Sequence, residues 1–135
     1  MRNHRELRSF LLADELALTV YRVTRSFPAD ERFGLVSQTR RAAVSVASNI
    51  VEGCTRDSQA DFARFVEIAL GSCSELAYQL GLAKRLDFPC SADDFAALEA
   101  CIGQAEACVR NLSALLKAVR ARYLKPVSKD TKDPA

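Results

Sequence analysis

Residues 37–75, SQTRRAAVSVASNIVEGCTRDSQADFARFVEIALGSCSE, set two long helical patterns back to back. In the second pattern Phe62, Val66, Ala69, Cys73, Leu76, Leu80 and Ala83 alternate spacings of four and three without a break. That rhythm puts every one of them on a single helix face. In the first pattern Leu35, Thr39, Ala42, Val46, Ile50 and Gly53 keep a similar rhythm with smaller side chains. Small residues along a helix face let a neighbouring helix approach closely. A chain with two such segments must bury both faces against other helices.

Two further segments supply those neighbours. The first runs from about Arg5 to Ser26, with Leu7, Phe10, Leu11, Ala17, Leu18, Tyr21 and Thr24 as its expected buried face, interrupted by Asp14. Pro28 restrains Phe27 and ends it, and a helical turn is expected at Asp30 to Phe33 in the connection. The second segment is expected over Leu35 to Glu52, with Gly53 as its stop. The third opens at Asp57 or Ser58, has Asp61 in its first turn, and continues to about Leu86. Gly71 and Gly81 within it each lower helix propensity by about 1 kcal/mol relative to alanine, which suggests close backbone contact there. The fourth starts at the N-cap Ser91 and carries Phe95, Leu98, Ile102, Ala105, Val109, Leu112, Leu116 and Val119. Short connections between long amphipathic helices favour antiparallel neighbours. The predicted fold is therefore all-α, an up-down-up-down antiparallel four-helix bundle over residues 1–124, followed by a disordered polar tail over 125–135.

Composition excludes several alternatives. Hydrophobic residues make up 49% and charged ones 27%, without the alternating β-branched runs of strands. No apolar run approaches the roughly 20 residues needed to span a bilayer, so no membrane role is expected. The N-terminal MRNHRELRSFLL is too charged for a secretory signal, which makes the cytoplasm the expected location. The five cysteines include no CxxC pair and lie far from the single histidine, His4, so a zinc site lacks its spacing. Cys73, Cys101 and Cys108 fall at helical intervals among apolar residues, where a free thiol behaves as a small hydrophobe.

Charge is balanced in sum, +2, but not in place. Residues 87–106 hold five acids and no bases, while 110–132 hold seven bases (Arg110, Lys117, Arg120, Arg122, Lys125, Lys129 and Lys132) against Asp130 alone. Acids at the start of a helix and bases at its end complement the macrodipole. The sharper reading is a basic nucleic-acid-binding patch of Arg110, Lys117, Arg120, Arg122 and Lys125, to which Arg2, Arg5 and Arg8 add at the same end of an up-down bundle.

The motifs of chemistry are missing. The sequence has no P-loop, dinucleotide fingerprint, HExxH or nucleophile elbow, and Glu52, Glu67 and Glu75 do not form the ExxH pairs of di-iron bundles. No cofactor and no catalytic activity are expected. What remains is an ordered polar row on the second segment: Gln38, Arg41, Ser45, Asn49 and Glu52, spaced three, four, four and three. As structure, these groups hydrogen-bond across helices or between subunits together with Arg64, Glu67 or Glu75 and fix register. As function, they line a site for a ligand or partner, and an enzyme would need at least two of Arg41, Glu52, Arg64 and Glu75 to converge in an open pocket.

SQTRRAAVSVASNIVEG followed by FARFVEIALGSCSEL resembles a bacterial four-helix-bundle family. It includes proteins encoded in ribosomal-RNA intervening sequences and the accessory protein Avd of diversity-generating retroelements. The resemblance covers about residues 5–120 and extends to Phe27, Pro28, Glu31, Gly34 and Leu35 at the entry of the second segment. Gln38, Arg40, Arg41, Ser45, Asn49, Ile50, Glu52, Gly53, Phe62, Phe65, Ala69, Gly71, Ser72 and Glu75 match in order. The chain departs at Ala47, where the family often has proline, and at Phe10, where tryptophan is common. The resemblance implies a homopentameric barrel of bundles, with no established activity for most stand-alone members. The expected function is a non-enzymatic oligomeric scaffold or binding module. The alternative is an adaptor for nucleic acid that works, as Avd does, as the partner of a reverse transcriptase or RNA through a basic rim.

Overall fold

Four amphipathic segments become four helices: α1 (Arg8–Val23), α2 (Leu35–Cys54), α3 (Gln59–Arg85) and α4 (Ala92–Tyr123). The structure, a computed structural model, describes residues 1–124, so the disordered tail expected over 125–135 lies outside the described residues. Helix α2 packs on α1 and α3, and α4 packs on α3 and α1, which leaves α1 and α3 on one diagonal of a square. The described residues contain no strand.

Local chemistry sets each helix end. The Ser58 hydroxyl accepts from the Asp61 N–H at 3.0 Å and the Ser91 hydroxyl accepts from the Asp94 N–H at 3.0 Å. Each cap satisfies one of the orphan donors of a first turn. At α2 the Glu31 carboxylate does this instead, accepting from the Leu35 N–H at 2.9 Å and placing negative charge at the dipole's positive end. Helix α3 ends with Asp87 at φ 54°. The Asp87 N–H donates to Lys84 O and the Phe88 N–H to Ala83 O, the paired bonds of a Schellman motif. Phe88 then meets Phe27 edge-on at 5.6 Å and ties the α3–α4 turn to the α1–α2 turn. At the opposite end the Arg2 N–H donates to Cys54 O at 2.8 Å, and the Ser9 hydroxyl donates to Asn111.

The expected buried faces of α2 and α3 are buried in full, from Leu35 to Gly53 and from Phe62 to Ala83. On α4 the face is rotated slightly: Leu98, Cys101, Ala105, Cys108, Leu112, Leu116 and Val119 are buried, Ile102 and Val109 lie at the flank, and Phe95 is 37% exposed.

Helix α1 keeps its expected face only in part: Thr24 is buried and Leu7, Phe10 and Ala17 pack at the edge of the core. Its core side is Ser9, Ala13, Leu16, Val20 and Val23, whereas Leu11, Leu18 and Tyr21 are 54%, 47% and 42% exposed. The helix is apolar almost all round, so two stripes fit the period. The expected stripe contains Asp14, whose charge would be costly to bury. The 16-residue helix is also shorter than expected, because His4–Glu6 and Thr24–Ser26 are separate 3₁₀ turns. The connecting turn falls at Ala29–Glu31 rather than Asp30 to Phe33.

Two glycine expectations also change. Gly53 does not stop α2, which runs on to Cys54; a Cβ there would sit 2.9 Å from Phe65 Cβ, so glycine permits close helix approach. At Gly71 and Gly81 a Cβ would meet nothing within 4 Å, because both lie off the helix contacts.

Truncation should separate the two stripes of α1. Leu16→Ala and Leu76→Ala, at side chains 1% and 0% exposed, are expected to lose about 2–5 kcal/mol each in urea unfolding. Leu18→Ala, outside the bundle core, should cost a single dissociated subunit no more than about 0.5 kcal/mol. Equal losses at Leu16 and Leu18 would show that the core side of α1 is misplaced.

Candidate functional site

Helix α2 presents a groove on each flank. Toward α3, Gln38, Arg41, Ser45, Ser72 and Glu75 line an open groove of about 320 Å³. The Ser45 and Ser72 hydroxyls share a hydrogen bond of 2.9 Å across the two helices. Asn49 Nδ2 donates to Ser45 O at 2.8 Å and to Ser45 Oγ at 3.0 Å. Glu75 accepts from Gln79 Nε2 at 3.0 Å, while the buried Gln79 Oε1 has no partner.

The sequence-predicted polar residues therefore divide. Gln38, Arg41, Ser45 and Glu75 come together, with Asn49 one turn along. Glu52 instead pairs with Arg56 at 2.5 Å, and Arg64 lies 5.2 Å over the Phe65 ring. Arg41 and Glu75 share the groove but form no ion pair within 4.0 Å. Among the described residues neither serine hydroxyl is hydrogen-bonded to a carboxylate or imidazole. General-base activation of a nucleophile needs such a partner within reach.

Toward α1 lies a larger groove of about 650 Å³, whose lining includes Tyr21, Arg32, Phe33, Arg40, Arg41 and Val44. The Arg40 guanidinium donates to Thr24 Oγ1 at 2.9 Å and to Tyr21 O at 3.3 Å, and it stacks 4.7 Å over the Tyr21 ring. Arg32 lies 5.4 Å from the Phe33 ring. None of these three arginines is in an ion pair among the described residues. Sequence reasoning missed this groove because the polar row directs attention to the other flank. The available signal was Arg40 beside Arg41, with Tyr21 and Phe33 on either side of the proline turn that folds α1 back onto α2.

The predicted basic patch does not form one cluster. Arg110 sits with Glu106 and Ser74 in the α3–α4 groove, about 18 Å along the helix from Arg122 at 1.5 Å per residue. Arg120 pairs with Glu67 at 2.9 Å, Lys117 and Arg122 are exposed, and Lys125 lies outside the described residues. The chain's first residues meet the end of α2 and so stand at this end, although Arg2 is occupied by Gln59 at 2.6 Å and by the Phe62 ring at 3.9 Å.

The five cysteines are free thiols, and only Cys90 is exposed. The contact with Cys108 and then burial push the Cys73 thiol well above its usual range, and burial pushes Cys101 up to about 12. Both are therefore protonated hydrophobes of the core. No described helix is long and apolar enough to cross a membrane.

Comparison with known proteins adds the family. Residues 5–111 match the family model described as 23S rRNA-intervening sequence protein. A crystal structure from Bacteroides thetaiotaomicron, of a protein with unknown function from the S23 ribosomal protein family, superposes with a TM-score of 0.69. Its sequence is 22% identical, and the match covers 81% of this chain and 95% of that one. At that identity the likeness concerns the fold. No curated protein matches the chain.

Thiol reactivity checks the buried set. Iodoacetamide at mild alkaline pH should modify Cys90 rapidly and the four buried cysteines only on unfolding. Because Cys101 is raised from 9.0 to about 12, the folded chain keeps a proton that the unfolded chain releases. That contribution to stability is complete below about pH 9 and is lost as pH rises toward 12. Rapid loss of several thiols in the native protein would contradict the packing.

Proposed function

The chain belongs to the 23S rRNA-intervening sequence protein family, and from that premise we propose that it is a cytoplasmic, non-enzymatic scaffold that works as a homo-oligomer. The observation that carries this reading is a pair of apolar stripes on diagonally opposite helices. Leu11 and Leu18 stand out from α1, Ile68 and Tyr78 stand out from α3 at 44% and 62% exposure, and Leu86, 53% exposed, follows the last residue of α3. None of these side chains belongs to the protein's own core, and burial against a second copy would remove them from water. Two different stripes on opposite sides favour a heterologous contact, α1 of one copy on α3 of the next, and repetition of such a contact closes a ring. A homopentameric ring of parallel bundles is the assembly we propose.

A second reading, an adaptor for nucleic acid or for a reverse transcriptase, is favoured by the placement of Arg5 and Arg8 at the same end as Lys117 and Arg122. In a ring that end repeats on one rim, and phosphate contacts there would need no sequence readout. Anisotropy with short duplexes should then fall with salt at a logarithmic slope of about −0.9 per phosphate neutralised. Glutamine at Lys117, Arg120 and Arg122 should weaken all sequences alike. Absence of duplex binding at low salt would remove this reading and leave the scaffold.

Sedimentation equilibrium tests the assembly. The parent should give a mass near five times the 14.8 kDa chain. Leu18→Glu and Tyr78→Glu should each yield folded monomers with unchanged helical circular dichroism. A monomeric parent at micromolar concentration would defeat the proposal.

A further inference from the structure

The α1–α2 groove has properties that the scaffold reading does not use. Arg32, Arg40 and Arg41 converge on it, no carboxylate lines it, and none of the three is ion-paired among the described residues. Like charges gathered without counterions repel one another, and a bound anion relieves that repulsion. Arg40, whose guanidinium donates to Thr24 and the Tyr21 carbonyl, adds a fixed positive charge to the groove and leaves Arg32 and Arg41 to meet the anion. An arginine matches phosphate oxygens through its planar fork.

The aromatic residues narrow the class of anion. Phe33 is 89% exposed, the highest value of any large apolar side chain in the described residues. It contributes nothing to the core, yet it lines the arginine groove together with Tyr21. A base can stack on such a ring whatever its identity, because every base has a π-face. The volume of about 650 Å³ fits an organic ligand of modest size, within the range of roughly 300–1,000 Å³ found for such sites. Ser37 adds a half-buried hydroxyl to the lining.

We infer that this groove binds a nucleotide phosphate, with the phosphate on Arg32 and Arg41 and the base against Phe33. The same chemistry is offered by a free mononucleotide and by the 5′ end of single-stranded RNA. The site is complete within one bundle and lies on a different face from Lys117 and Arg122, so it does not depend on the rim.

The test uses the full chain with AMP in titration calorimetry, and with a 5′-phosphorylated ten-residue uridine RNA carrying a 3′ fluorophore in anisotropy. Arg32→Gln and Phe33→Ala, both at exposed side chains, should each weaken the bound probe by about tenfold, or 1.4 kcal/mol. AMP binding with that loss assigns the site to free nucleotides, and RNA binding alone with that loss assigns it to RNA ends. Four results would overturn the inference. One is the absence of binding with either probe, and another is affinity that ignores both substitutions. The third is inorganic phosphate competing as well as AMP, which would leave the ring no part in recognition. If Phe33→Ala lowers the sedimentation mass and leaves nucleotide affinity untouched, the groove is a contact between copies and the inference falls.

Discussion

The close approach of α2 and α3 at Gly53 governs the rest of the bundle. A methyl group there would lie 2.9 Å from Phe65 Cβ and 3.3 Å from Phe62 Cδ2, well inside van der Waals contact. Because the backbones meet so closely, Phe62 can be buried at 1% exposure while Phe65 rests under the guanidiniums of Arg56 and Arg64. The same approach brings Ser45 to Ser72 across the two helices and creates the polar groove farther along. It also fixes the end of α2, where the Cys54 carbonyl accepts from the Arg2 N–H and the Phe62 ring lies under the Arg2 guanidinium. Interiors of this kind are dense, and a displacement at one contact is passed on to its neighbours.

Much of this could be read from residues, but unevenly. The core faces of α2 and α3 were legible because polar residues flank them on both sides, so a single stripe fits the helical period. The core face of α1 was not, since Leu7, Phe10, Leu11, Leu12, Leu16 and Leu18 make both candidate stripes apolar. Only packing decides between them, and it leaves Leu11 and Leu18 outside the bundle's own core. Glycine shows the same limit: the sequence identifies Gly53, Gly71 and Gly81, but only the fold places Phe65 opposite the first and nothing opposite the others.

The candidate sites follow the same logic. Periodicity picks out Gln38, Arg41, Ser45 and Asn49 because they share a flank of one helix. It cannot pair Arg41 with Tyr21 and Phe33, which come from an earlier helix and from a turn. Likewise Arg110 and Arg122 look adjacent in a charge count, yet the helix rise separates them by about 18 Å along its axis. Helix α2 emerges as an element with one buried face and two differently equipped flanks, a polar one toward α3 and a cationic one toward α1.

The sign of a single substitution tests the governing contact most directly. Propensity alone says that alanine in place of a helical glycine stabilises by about 1 kcal/mol. At Gly71, where no atom lies within 4 Å of the added carbon, urea unfolding should show that gain or a neutral result. At Gly53 the steric demand opposes it, and Gly53→Ala should lower the urea midpoint. A Gly53→Ala protein as stable as its Gly71→Ala counterpart would show that α2 and α3 are not held in close contact there, and the account built on that contact would fail.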